Sequence, residues 1–332
     1  MRWNRYINVL SVSALVVSAL AFLFTDPASA RGRRAADAFP NIELTTQEGK
    51  TVHFYDDLIK GRIVAINLIY TRCKYACPLE TARLVQVQKM LGDRVGKDIF
   101  FYSISIDPVF DTPEVLKAYA EKYHAGPGWT FLTGKKEEID FLSRKLGLYS
   151  DPSINADGHT PHLLIGNDPL GQWMRNSALD NPRFLATMIG EFLDNWKNLK
   201  PVEEKSYAEA RPLKLDKGQY IFSRQCAACH TIGHGDTIGP DLLGITGVRD
   251  HLWLMRKIQT PEQMLEEKDP LTMGLFRKYK EVRMPNLDLT AEQTHLLIGY
   301  LQSQNAATGK EVPAGNGGET KSGVRMGPAQ RN

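Results

Sequence analysis

Cys226-Ala227-Ala228-Cys229-His230 puts two thiols and an imidazole into one short run of chain. A C-x-x-C-H run of this kind attaches a haem: the thiols add to the two vinyl groups, and the imidazole becomes the proximal ligand of the iron. Zinc is the competing reading, and His234 would supply its fourth ligand. Haem is favoured by Ile238-Gly239-Pro240-Asp241-Leu242, where a backbone carbonyl can accept the free imidazole N–H of His230 and fix the ring. One covalent haem c on Cys226 and Cys229, with His230 on the iron, is therefore expected. A sixth ligand is sought among Met255, Met264, Met273 and Met284. Met284 is preferred, because Arg283-Met284-Pro285-Asn286 reads as an irregular loop before the last helix, whereas Met255 sits with Leu252 and Leu254 in a helical pattern and reads as core. A Met/His pair raises the reduction potential and suits electron transfer.

The other two cysteines lie in Thr71-Arg72-Cys73-Lys74-Tyr75-Ala76-Cys77-Pro78. A helix starting near Cys73 would place both sulfurs on one face, and its N-terminus, with Arg72 and Lys74, would favour thiolate. Such a pair can cycle as a disulfide or hold a soft metal.

Positioning these groups requires two kinds of architecture. Ile63 to Tyr70 is a continuous apolar run that reads as a buried strand. Ile99 to Ile106 is a second strand and Leu163 to Gly166 a short third. Helical stretches run from Pro78 to Met90 and from Asp111-Thr112-Pro113, where Asp111 or Thr112 caps and Pro113 fits the first turn. The alternation predicts an α/β sheet over residues 36–195. Residues 196–211 are charged and aperiodic and read as a linker. From 212 to 304 the pattern is helical, ending in a helix opened by the capping box Thr290-Ala291-Glu292-Gln293 and burying Leu296, Leu297, Tyr300 and Leu301. Residues 305–332 are polar and glycine-rich, with the composition of a disordered tail.

Lys and Arg total 41 against 38 Asp and Glu, a balance that gives no reason to expect nucleic acid as a partner. Arg2 and Arg5, an apolar run from Tyr6 to Phe24 and Ala28-Ser29-Ala30 make residues 1–30 a bacterial secretory signal. The apolar run is long for a signal and near the lower limit for a span, so the alternative is an uncleaved anchor in the inner membrane. Either way the chain is expected to be periplasmic.

Residues 212–304 resemble a small class I c-type cytochrome, on Cys226, Cys229, His230, the Gly239-Pro240 turn and Met284. The resemblance implies an all-helical fold around one haem. Residues 36–195 resemble the Sco/SenC family of copper chaperones. The matching pieces are Cys73 to Pro78 as C-x-x-x-C-P, Ser105-Ile106-Asp107-Pro108 and Asp111-Thr112-Pro113. The resemblance implies a thioredoxin-like fold and copper bound by Cys73, Cys77 and one distal histidine. It also implies a role in assembling the CuA centre on an apo cytochrome c oxidase subunit. The family's histidine stands in an Asp-His-Ser/Thr context. Here Gly158-His159-Thr160 keeps the His-Thr part and loses the aspartate, and His162 competes. Pro161 fits the cis-proline that thioredoxin-like folds place facing the cysteines, and the family's ligand falls about two residues earlier, so His159 is preferred and His162 is the alternative. The remaining histidines, His53, His124, His251 and His295, read as isolated.

The expected function is a copper metallochaperone with a fused haem c electron-transfer module and redox partner proteins. The alternative is an enzyme, a thiol–disulfide oxidoreductase using Cys73 and Cys77 on partner cysteines and exchanging electrons through the haem. A third reading makes the chain a simple electron carrier whose first domain only docks.

Overall fold

The computed structural model describes residues 38–74, 76–150, 160–193 and 216–307. The chain divides into two compact units, Met1–Leu213 with Gly274–Pro285, and Lys214–Met273 with Asn286–Asn332. The linker expected at 196–211 and the apolar N-terminal run lie outside the described residues. Among the described residues no helix is long and apolar enough to cross a membrane.

The first unit is built on a seven-stranded mixed sheet: β1 (Glu43–Thr46), β2 (Thr51–His53), β3 (Ile63–Ile69), β4 (Ile99–Ser105), β5 (Trp129–Thr133), β6 (His162–Asn167) and β7 (Gln172–Ser177), in the order β2-β1-β5-β4-β3-β6-β7. β3 is buried along its whole length, as a strand covered on both faces must be. It pairs in parallel with β4, Ile63 opposite Ile99 through Ile69 opposite Ser105. It pairs antiparallel with β6, Ile63 opposite Asn167 through Asn67 opposite Leu163. Parallel neighbours need a long crossover, and helix α1 (Ala76–Leu91) supplies it between β3 and β4. Helix α2 (Pro113–Tyr123) does so between β4 and β5, which are also parallel. The β6–β7 hairpin completes a thioredoxin-like arrangement on the other side of β3.

Alternate residues of the sheet feed two cores. Val64, Ile66 and Leu68 of β3 join Tyr102, Ile104, Leu132 and Leu164 against a wide helical turn, Phe54–Ile59, and helix α3 (Lys136–Leu146). On the opposite face Phe131 meets Tyr119 of α2, ring centroids 6.0 Å apart. Helix α4 (Pro182–Thr187) follows β7 and packs against α1. Thr112 caps α2, accepting from the Val115 N–H at 3.4 Å, and Pro113 occupies its first turn, as its fixed φ suits.

The second unit is helical: α5 (Lys217–Ile221), which continues as a wide turn to Cys226, then α6 (Ile245–Val248), α7 (His251–Gln259), α8 (Pro261–Glu266), the start of α9 (Pro270–Lys278), whose residues from Gly274 group with the first unit, and α10 (Ala291–Ala307). α5 and α10 cross in close contact at Gly218. A Cβ there would fall 2.1 Å from the Leu296 carbonyl oxygen and 2.7 Å from Tyr300 Cβ. The expected capping box is formed: the Thr290 N–H donates to Gln293 Oε1 at 2.9 Å, and the Gln293 N–H to Thr290 Oγ1 at 3.2 Å. The buried stripe of α10 is Thr294, Leu297, Ile298 and Leu301. Leu296 and Tyr300, expected to be fully buried, are half-exposed on the edge that meets α5. α10 runs on to Ala307, so residues 305–307 of the expected tail are helical; the rest of it, 308–332, lies outside the described residues.

Candidate metal centre

β3 ends at Ile69, and the chain reverses at once: the Cys73 N–H donates to the Tyr70 carbonyl at 3.1 Å. α1 opens at Ala76, three residues later than a helix holding both sulfurs on one face would require. Cys73 therefore precedes the helix, and Cys77 sits in its first turn. First-turn N–H groups have no acceptor inside their own helix. The N–H of Cys77 finds one in Cys73 Sγ, at 3.4 Å. Capping thus ties the pair together. Both cysteines are buried.

The loop is anchored from the neighbouring strand. Asp111, fully buried, accepts from the Thr71 N–H at 3.0 Å and from the hydroxyls of Thr71 and Ser105. The β3–β4 register, with Ile69 opposite Ser105, delivers Ser105 to that point. From below, the Tyr119 hydroxyl donates to the Cys77 carbonyl at 3.4 Å and lies 3.0 Å from Thr81 Oγ1.

The electrostatics differ from the sequence expectation. Arg72 directs its guanidinium to Asp107 at 2.6 Å and over the Phe110 ring at 4.4 Å. Burial pushes the Cys77 thiol well up, helped by its bond with Cys73 and by the Glu80 charge. Desolvation outweighs the helix N-terminus here, so the Cys77 sulfur rests as a neutral thiol.

His159, the preferred third ligand, lies outside the described residues. His162 opens β6 one step beyond the Asn67–Leu163 pair, and its Nδ1 lies 3.1 Å from Thr160 Oγ1. Pro161 stands just before β6, its carbonyl accepting from the Ala178 N–H at 2.8 Å. No peptide bond among the described residues is cis, so Pro161 does not take the expected isomer. Among the described residues no group of three His, Cys, Asp or Glu side chains comes together to hold a metal.

The second cysteine run closes on itself. The N–H groups of Cys229 and His230 both donate to the Cys226 carbonyl, at 3.1 and 3.0 Å. His230 Nδ1 lies 2.9 Å from the Pro240 carbonyl oxygen, the bond expected from the sequence, which leaves Nε2 for a metal. Gly239 lies flat against the ring; a Cβ there would come within 2.7 Å of His230 Cε1. Asp241 ties the loop: burial pushes its carboxyl up, but N–H bonds from Leu243, Gly233 and Gly235 bring it below the ordinary value. Cys226 is buried, which pushes its thiol up to about 12. Met284 is half-buried in the irregular stretch between α9 and α10. Met264, not Met255, is the methionine packed into the core of its unit; Met255 is half-exposed.

The family model described as SCO1/SenC matches residues 30–163, and one described as cytochrome c matches residues 215–305. A SCO2-like protein of Rickettsia typhi is 30% identical over 162 residues, covering 46% of this chain and 75% of that protein. The chain belongs to the SCO1/SenC family. A Stutzerimonas stutzeri protein described as copper-binding is 31% identical over 137 residues, which cover 40% of this chain and 65% of that protein. Among solved structures, copper-bound ScoI of Bradyrhizobium japonicum is 25% identical, with a TM-score of 0.39 over 46% of this chain and 96% of that one. This SCO1/SenC chain also carries a cytochrome c domain.

Asp111 has a role that its capping context hid. It leaves the cap to Thr112 and reaches back to the cysteine loop. The signal is weak in sequence, since it depends on strand register. His251 and His295, which read as isolated, are brought together, ring centroids 5.2 Å apart.

Proposed function

We propose that the chain is a periplasmic copper metallochaperone for the CuA site of cytochrome c oxidase, carrying one covalent haem c as an electron-transfer module. The observation that carries this reading is the buried Cys73–Cys77 pair, capped sulfur to N–H at 3.4 Å just after a buried strand. Copper is the cargo. Cu(I) favours thiolate, and an imidazole makes the site acceptable to Cu(II) as well. His159 is the proposed third ligand and His162 the alternative. Membership of the SCO1/SenC family supports both the metal and the oxidase-assembly role.

The raised Cys77 thiol must lose its proton on either path, cation capture or disulfide exchange. Attack on a disulfide needs a thiolate. A soft cation instead displaces the proton as it binds, and burial then shields the metal from water. Asp111 holds the loop in place while this happens, because Thr71 is fixed at both its N–H and its hydroxyl.

The residues of the second unit fit a haem. Cys226 and Cys229 would form the thioethers, the Pro240 carbonyl sets the His230 ring, and Gly239 leaves the ring its space. Met284, in the stretch Gly274–Pro285 that groups with the first unit, is proposed as the distal ligand on its sequence context alone. When bound, the group supplies one-electron exchange. Residues 1–30 export the chain and are then cleaved or kept as a tether to the inner membrane. The partners are the apo oxidase subunit that receives copper and the redox proteins that serve the haem.

Titration of the reduced holoprotein with copper, followed by optical and EPR spectra, tests the reading. One equivalent with sulfur-to-copper charge-transfer absorption is expected in the native chain, and no sulfur-bound copper in Cys73→Ser. Unchanged binding in Cys73→Ser removes the copper assignment. Disulfide reductase activity that survives His159→Ala after copper binding is lost would instead favour the oxidoreductase.

A further inference from the structure

His251 is the first residue of α7, and His295 lies one turn into α10. The two helices pack against each other within the second unit. This brings the imidazoles side by side at the surface, centroids 5.2 Å apart and planes inclined by only 18°. Both side chains are exposed. Leu254 and Ile258 of α7 and Leu297, Ile298 and Leu301 of α10 are buried, so the backbones that carry the two rings are fixed while the rings themselves can turn.

We propose that His251 and His295 form a bis-histidine site for a borderline divalent transition metal, with Cu(II) the tightest of the series, separate from the cysteine centre. Imidazole suits Cu, Zn and Ni, and the divalent series peaks at copper. The rings stand near-parallel, so each must turn about its side-chain torsions before a nitrogen of both reaches one ion at about 2 Å. The rest of the coordination sphere is water, because no further His, Cys, Asp or Glu completes a group of three among the described residues. The site is therefore open and exchangeable, which suits temporary capture of an ion and not a structural centre. It also links two helices: an ion held by both rings ties α7 to α10, so the folded state gains stability as the ion is added.

The test uses the full-length holoprotein in a Cys73→Ser/Cys77→Ser background, titrated with Cu(II) and followed by EPR and calorimetry. One equivalent with nitrogen hyperfine structure is expected, its affinity falling at least tenfold in both His251→Gln and His295→Gln. Thermal unfolding of the second unit should shift upward with Cu(II) in the parent and not in either glutamine variant. Equal affinity in parent and variants overturns the proposal. So does loss in one variant alone, which marks a single histidine binding by itself. If the cysteine background fails to fold, Zn(II) titration of the cysteine-intact chain gives the same contrast: a second equivalent lost in both glutamine variants supports the site, and one retained in either overturns it.

Discussion

The Cys73–Cys77 loop and the Cys226–His230 loop each offer two sulfurs from a short run of chain, but they are held in different ways. The haem loop is tied locally. Its histidine adjoins the second cysteine, and its anchors are the carbonyls of Cys226 and Pro240 and the carboxylate of Asp241. The dithiol loop is tied by residues far off in the chain: Asp111, just ahead of the α2 cap, and Tyr119 from α2 itself. A local site tolerates change elsewhere in the fold. A site assembled by a sheet is only as well placed as the strand register beneath it. The two loops also meet their helices from opposite ends: Cys77 sits in the first turn of α1, whereas Cys226 closes the helical run that begins with α5.

The largest effect that probes this contrast is at the sulfurs. Cys77→Ser removes a soft ligand and should weaken copper binding by more than about 100-fold, beyond what loss of an outer-sphere partner costs. The haem absorbance of the same variant should be unchanged, since the haem loop draws nothing from Cys77. A parallel loss of haem would show the two sites to be coupled.

Asp111→Asn comes next. The isosteric amide keeps the volume but loses the charge-assisted bonds to Thr71 and Ser105. Copper affinity should fall about 10- to 100-fold, the range for an outer-shell partner, although Asp111 touches no sulfur. Affinity within twofold of the parent would mean that the loop holds its shape without its anchor.

Gly239→Ala attacks the local loop. Its Cβ would stand 2.7 Å from His230 Cε1, so the ring or the Gly239-Pro240 turn must shift. Overpacking of this kind costs about 1–3 kcal/mol. Haem content or the haem reduction potential should change while copper binding does not, read by the pyridine haemochrome spectrum and redox titration.

The same contrast explains what could be read from the sequence. The Cys226–His230 loop is legible because its parts are adjacent: C-x-x-C-H sets two thiols and an imidazole side by side, and the Pro240 carbonyl that holds the ring falls in the stretch expected to supply it. The strands around Ile63 and Ile99 were legible because a doubly covered strand is a continuous apolar run. The geometry of the dithiol was not. The start of α1 at Ala76 follows from a sulfur acting as cap, for which C-x-x-x-C carries no signal. The raised Cys77 thiol follows from burial, which no local charge pattern records; Arg72 looked like a partner for thiolate but pairs with Asp107. Asp111 read as a helix cap because nothing in Asp-Thr-Pro shows that β4 ends beside β3. His251 and His295 meet only through the packing of α7 on α10.

The smallest predicted effect is a pH dependence of the copper-free protein. Burial raises the folded-state value of Cys77 above the ordinary 9.0. The folded state therefore holds this proton more tightly than the unfolded chain. Stability from the neutral thiol is fully present below pH 9.0 and is lost as pH climbs past it, by about 1.4 kcal/mol per pH unit until the folded value is reached. Tyr119, raised by the same burial, adds a loss of the same sign above its ordinary 10.0. Denaturant melts of the first unit between pH 8 and 10.5 should show the decline, and Cys77→Ser should remove the part that begins near 9.0. Copper binding runs the other way: it expels the Cys77 proton, so affinity should rise about tenfold per pH unit for each proton released, up to the folded-state value. A copper affinity flat from pH 6 to 8 would mean that the sulfur is already ionised and that the helix N-terminus, not burial, governs this loop.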